Sequence, residues 1–125
     1  MLHVRVVLVR PENHSNIGAS ARAIMNMGLG GLDLVDPGDF RTIETWRTAW
    51  RAEEILEHAR VFPDLATAVA DCVYVAGFVS RSGMIVEPIT VREMAGDFEA
   101  LESDSRVALV FGCESHGLSE VELRQ

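Results

Sequence analysis

The sequence predicts an α/β fold: a parallel sheet with helices on both faces. Three observations predict it. Valine- and leucine-rich runs at 4–9, 72–79 and 107–111 lack strict alternation and read as strands covered on both sides. Segments with helical spacing and capping residues separate these runs, the alternation that builds parallel crossovers. Glycine-containing loops then follow the strands, at the carboxyl ends where parallel sheets hold ligands.

Taken in order, the first strand spans 4–9 and is followed by a polar loop, 11–15. A helix is expected from about Asn16 to Met27, with Ser15 or Asn16 as N-cap and Gly28 as its stop. A short second strand, 32–35, ends at "DPGD". One long helix is expected over 42–59, and Asp64 is placed to cap a short helix, "LATAVA". The strand at 72–79 carries Gly77 near its end. "TVRE", 90–93, has capping-box spacing and opens a helix to about Leu101. The last strand is 107–111, and "SEVE", 119–122, is a second capping box. No internal repeat, low-complexity tract or linker interrupts the pattern, so residues 1–125 read as one domain.

Composition narrows the function. The chain is 48% hydrophobic and 24% charged, which excludes disorder, and no apolar run approaches the roughly 20 residues of a membrane span. The start lacks a basic region followed by a long apolar stretch, so no secretory signal is expected. Cys72 and Cys113 cannot form a disulfide framework, and the four histidines are scattered, so no metal site and a reduced, cytoplasmic setting are expected. A net charge of −8 argues against a broadly basic nucleic-acid binder. All eleven basic residues are arginine, whose planar fork grips phosphate in two-pronged fashion. A focused anion site is therefore still allowed.

Two loops carry the chemistry. In "NIGASAR" the spacing Asn16, Gly18, Arg22 puts Arg22 on the helix face of Gly18. Gly18 would let a backbone or a ligand approach the first helical turns. A helix start plus an arginine suits a phosphate. The same residues fit an Asn cap, a tolerated glycine and a solvated arginine. In "FGCESHGL", Gly112 and Gly117 leave backbone groups free to read a flat ligand, with Glu114 bonding to it or folding the loop; a plain structural loop fits equally. Neither G-x-G-x-x-G nor G-x-x-x-x-G-K-[ST] is present. Trp46 and Trp50 are assigned to packing rather than RNA stacking. Cys113 is not favoured as a nucleophile, and His14 and His116 are expected to line loops.

As an ordered set, "NIGASARAIMNMGL" (16–29), "LVDP" (34–37), "TVRE" (90–93) and "VALVFGCESHGL" (107–118) resemble the SPOUT RNA ribose methyltransferases. This is the α/β-knot or TrmH-like family, and the likeness is to its TrmJ group, which methylates a 2′-hydroxyl of the tRNA anticodon loop. The resemblance implies S-adenosylmethionine as methyl donor, tRNA as substrate, and a homodimer whose site draws on both subunits. By position Asn16 and Arg22 would be catalytic. Gly77, Phe78, Val79, Ser80, Gly112, Glu114 and Gly117 would line the cofactor pocket, mostly through backbone. Methyl transfer is an in-line displacement, so positioning supplies much of the rate. Arg22 stays protonated, so holding a phosphate and stabilising the emerging alkoxide suits it better than acting as base.

The sequence departs from the family twice. Phe78 and Val79 stand where small polar residues usually follow the glycine of the fourth strand. The family's Ser- and Asn-rich third motif has no counterpart, so an incomplete knot and the N-terminal portion of a longer protein are expected. Retention of Asn16 and Arg22 favours the enzyme. The alternatives are a non-catalytic SPOUT-like module that binds RNA or a partner, and an unrelated nucleotide-binding α/β domain.

Overall fold

The chain enters through β1 (His3–Val9), passes into α1 (His14–Met27) and returns in β2 (Gly31–Val35). Two short helices, α2 (Ile43–Thr48) and α3 (Glu53–Glu57), lead to β3 (Arg60–Phe62). Then follow α4 (Leu65–Ala68), β4 (Tyr74–Phe78), α5 (Val91–Glu99) and β5 (Arg106–Phe111). The computed structural model describes residues 3–78, 91–101 and 104–112. Its five strands are all parallel, in the order β3-β2-β1-β5-β4, which is the fold class expected. From β1 the chain builds outward to β2 and β3, then crosses back to place β4 and β5 on the other side. The order reverses between β1 and β5, and a parallel sheet opens a crevice at such a switch point.

α1 starts two residues before the expected Asn16. The cap is neither Ser15 nor Asn16 but Asn13, whose side-chain oxygen accepts from the Ser15 amide at 2.9 Å and from its hydroxyl at 2.6 Å. Asn caps as well as Ser, and the run Asn13, Ser15, Asn16 offers three candidates that sequence does not rank. The consequence is functional: Asn16 becomes a side chain on the helix surface rather than a cap. The stop is as expected. Gly28 is left-handed (φ 69°), and its N–H reaches the carbonyls of Ile24 and Met25.

The single helix expected over 42–59 is two helices. Thr42 caps α2 through the Thr45 amide (3.3 Å), and its hydroxyl also lies 3.1 Å from His14 Nδ1. α2 then runs into α1 at Gly18. A Cβ on Gly18 would overlap the Thr48 hydroxyl and the Thr45 carbonyl and lie 2.8 Å from the Ala49 nitrogen. Gly18 therefore serves close approach of another backbone. Beyond this crossing the chain turns: Arg51 adopts φ 70°, and its N–H is held by the Glu53 carboxylate at 2.8 and 2.9 Å. Buried Ala49 and Ala52 bracket the turn, and helical spacing of apolar residues hides the break because both helices bury the same face.

β3 was not expected: three residues are too short to show a period. β4 begins at Tyr74 rather than 72 and is an edge strand, with Val75 45% exposed, so one of its faces is open where a fully buried run was expected. Asp64 caps α4 as expected, accepting from the Thr67 amide at 2.8 Å. Thr90 of "TVRE" and the second capping box, 119–122, lie outside the described residues.

Each sheet face has its own core. Val6, Leu8, Leu32 and Leu34 pack under Ile17, Ala21 and Ile24 of α1 and Leu56 of α3. On the opposite face Val7, Val9, Val35, Ala108 and Val110 pack with Leu65 and Ala68 of α4. At the amino-terminal end of this second face lies Asp33, 1% exposed and gripped by two guanidinium groups: Arg5 from β1 at 2.8 Å and Arg60 from β3 at 2.9 Å. Burial would raise the Asp33 carboxyl, but hydrogen bonds and charge from Arg60 and Arg5 outweigh it and hold the carboxyl below its ordinary value. The cluster ties three strands together.

Candidate active site at the strand-order switch

α1 sorts its side chains by angle, at about 100° per residue. Ile17, Ala21 and Ile24 face the sheet and are buried. Asn16, Ala19, Ser20, Ala23 and Met27 point to one flank, where a cleft of about 550 Å³ opens. Its floor is Val6 and Leu8 of β1 with Leu109 and Phe111 of β5, and its upper rim is Pro11 and Gly112. Gly18 points away from the cleft, against α2, and Arg22, four residues on, is exposed. The cleft begins at the switch between the carboxyl ends of β1 and β5, the place a parallel sheet offers a ligand.

Three of the residues expected at the cofactor meet at this edge. Gly77 pairs in register with Val110, Phe78 pairs with Phe111, and Gly112 follows directly. The rings of Phe78 and Phe111 stack with centroids 4.5 Å apart and planes 8° from parallel. Phe78 thus stands beside the cleft as an aromatic. Val79, Ser80, Glu114 and Gly117, with Cys113 and His116, lie outside the described residues.

The two residues expected to be catalytic are not brought together within one chain. Asn16 lines the cleft. Arg22, six residues on, is exposed about 120° around the helix. Sequence reasoning placed both on one motif and did not separate the flanks. It also passed over Phe111 and Ser20. The signal for Phe111 was the alternation of 107, 109 and 111 on a strand; for Ser20 it was the 16, 20, 23, 27 stripe.

The cleft walls are mostly apolar, with polar groups from Asn16, Ser20 and the Gly112 backbone. Such a lining suits an organic ligand with an aromatic or aliphatic body and few polar anchors. Among the described residues no group of three or more His, Cys, Asp or Glu is placed to hold a metal ion. His14, expected in a loop, is the first residue of α1, and its Nδ1 lies 3.1 Å from the Thr42 hydroxyl.

Comparison with known proteins agrees with this geometry. The chain is 42% identical, over 98% of its length, to the tRNA (cytidine/uridine/adenosine-2'-O-)-methyltransferase TrmJ of Pseudomonas aeruginosa, of which the match covers 48%. Among solved structures it matches a probable methylase family protein from Haemophilus influenzae with TM-score 0.87 and 35% identity, over 98% of this chain and 52% of that one. It also matches TrmJ from Z. mobilis with TM-score 0.79 and 38% identity, over 92% and 51% respectively. The chain spans about half the length of these relatives. The sequence profile of the SpoU rRNA Methylase family matches residues 3–125, and the chain belongs to that family.

Proposed function

We propose that this chain is a methyltransferase domain that transfers a methyl group from S-adenosylmethionine to a ribose 2′-hydroxyl of tRNA, working as a homodimer. The observation that carries this reading is the cleft at the strand-order switch, with Asn16, Gly112 and the Phe78–Phe111 pair at its edge, in a chain 42% identical to a tRNA 2'-O-methyltransferase. These residues fit the cofactor. A flat aromatic pair offers a surface to adenine, and Gly77 and Gly112 present backbone with no side chain in the way. When bound, S-adenosylmethionine supplies an electrophilic methyl group on a sulfonium.

The chain's own residues supply positioning and charge. Asn16 can hold a polar group at the cleft mouth by hydrogen bonding. Arg22 carries a fixed positive charge and grips an RNA phosphate or the alkoxide that forms as the hydroxyl loses its proton. Asn16 lines the cleft and Arg22 does not, and the two are about 120° apart around α1. A second copy that brings its Arg22 to this cleft would complete the site, as the homodimer reading requires. The same separation supports a second reading, a binding module that holds RNA without transferring methyl groups.

One experiment separates them. In the protein incubated with tRNA and labelled S-adenosylmethionine, 2′-O-methyl nucleosides are counted by mass spectrometry, beside Arg22→Ala. We expect methylation by the parent protein and a loss of about 100-fold or more in the variant, the scale of removing one charge-stabilising donor, with S-adenosylhomocysteine affinity unchanged. An unaffected rate removes Arg22 from the site. Binding of tRNA with no methylation by the parent protein favours the module.

A further inference from the structure

We propose that Trp50 and Arg51, on the turn between α2 and α3, form a stacking platform for an unpaired nucleotide of the RNA substrate, beside the helix that carries Arg22. This rests on the reading of an RNA substrate and adds residues that no motif of the family supplied.

The two tryptophans, four residues apart, part company in the fold. Trp46 is half-buried and packs on the core, whereas Trp50 is 62% exposed. A tryptophan pairs a broad apolar ring with an N–H donor, a combination enriched at binding surfaces. The Arg51 guanidinium lies over the Trp50 ring, 4.5 Å from its centroid. Arg51 itself adopts φ 70°, a left-handed conformation unfavourable for a non-glycine residue. The Glu53 carboxylate fixes it by accepting from the Arg51 amide.

Placement ties the pair to the candidate site. Gly18 allows the end of α2 to abut α1, with Ala49 in contact and Trp50 next in the chain. Arg22 lies one helical turn beyond Gly18 on the same face. The crossing at Gly18 brings the end of α2, which leads into Trp50 and Arg51, against the helix that carries Arg22. The segment supplies Arg41, Arg47 and Arg51, but Glu44, Glu53 and Glu54 balance them over residues 40–54, so stacking on the indole rather than net charge has to carry the contact. A tryptophan face with arginines around it matches how single-stranded RNA is held, bases stacking on the aromatic and phosphates meeting guanidinium groups.

The test measures tRNA binding by the protein over a range of salt, with Trp50→Ala, Trp50→Phe and Arg51→Gln. One stacked base predicts that Trp50→Ala weakens tRNA binding five- to a hundredfold. The slope of log affinity against log salt should hardly change, because stacking releases no counterions. Trp50→Phe should retain most of the affinity. Arg51→Gln should lower the slope by about 1. S-adenosylhomocysteine affinity and Tm should match the parent in Trp50→Ala, since the side chain is exposed. Unchanged tRNA affinity in Trp50→Ala overturns the proposal and leaves the methyltransferase reading intact. So does loss of an oligomer in that variant with tRNA affinity kept, which would make the patch a protein interface. If the parent protein binds no tRNA at all, the reading of the substrate fails, and the platform with it.

Discussion

The sheet face under α1 has two halves, and they are finished differently. Over β1 and β2, Leu32 and Leu34 are sealed beneath α1 and α3. Over β5 the aligned residues Leu109 and Phe111 have the same apolar character, yet Leu109 is only half-buried and Phe111 is 37% exposed. Both halves are built from runs of valine and leucine, so hydrophobicity does not distinguish them. Topology does. The crossover from β1 to β2 lays α1 across their shared face, while the strand-order switch leaves the β5 side as a cleft wall. The sealed half holds the fold together. The open half is where a ligand can enter without breaking anything.

The largest expected effect breaks this comparison directly by making one substitution on both sides. Leu34→Ala empties a closed site and should cost about 3–4 kcal/mol, within the range for buried leucines. Leu109→Ala, on the same face two strands away, borders the cleft and should cost about 1 kcal/mol, because solvent or a ligand reaches the space it vacates. Urea unfolding of the two variants checks this. Equal losses would mean that the halves are equally sealed and that the cleft is no binding wall.

Much of this contrast was legible in the sequence, and its limits have physical causes. The parallel sheet, the Gly28 stop and the Asp64 cap could be read because each rests on local chemistry. The break between α2 and α3 could not, since it depends on the contact of Gly18 with Thr45, Thr48 and Ala49, about thirty residues apart. The edge position of β4 could not either, because strand order is a tertiary property and "YVAGF" reads as buried on either side. The site divides the same way. Gly77 and Gly112 were placed by motif, and they do come to one edge. That Asn16 and Arg22 point apart follows from their six-residue separation on a helix and could have been read; which flank carries the cleft could not, because it is set by the strand order.

A second prediction tests the opposite face, where charge replaces packing. Asp33→Asn leaves Arg5 and Arg60 without their counter-ion. Removing one member of a fully buried pair costs about 3–5 kcal/mol; here both guanidinium groups reach solvent in part, so about 2–3 kcal/mol is expected. The pH dependence fixes the cause. The Asp33 carboxyl is lowered in the folded state, so its contribution is complete above its unfolded value near 4 and fades as pH falls through the folded value. The stability gap between parent and Asp33→Asn should therefore be constant above about pH 5 and shrink below pH 4. A gap that persists unchanged into strong acid would assign the loss to packing.

The smallest expected effect on stability sharpens the comparison most, because it falls on the open half and has a second readout. Phe111 stacks on Phe78 at 4.5 Å, is partly exposed, and forms cleft floor beside Gly112. A buried Phe→Ala change costs about 3–5 kcal/mol. Phe111→Ala forfeits only part of that transfer term, since the ring is already partly wet and no closed cavity is left. It also loses the ring pairing, about 0.5–1.5 kcal/mol beyond area. A net loss of about 1–2 kcal/mol follows, less than for Leu34. If the aromatic pair offers its surface to adenine, the same variant should bind S-adenosylhomocysteine about tenfold more weakly by calorimetry, while Leu34→Ala, once folded, binds it normally. The ratio of the two losses is the informative quantity: a site residue moves affinity more than stability, and a core residue does the reverse. If Phe111→Ala destabilises the fold as much as Leu34→Ala and leaves affinity untouched, then β5 belongs to the sealed half and the ligand must be sought elsewhere on the edge.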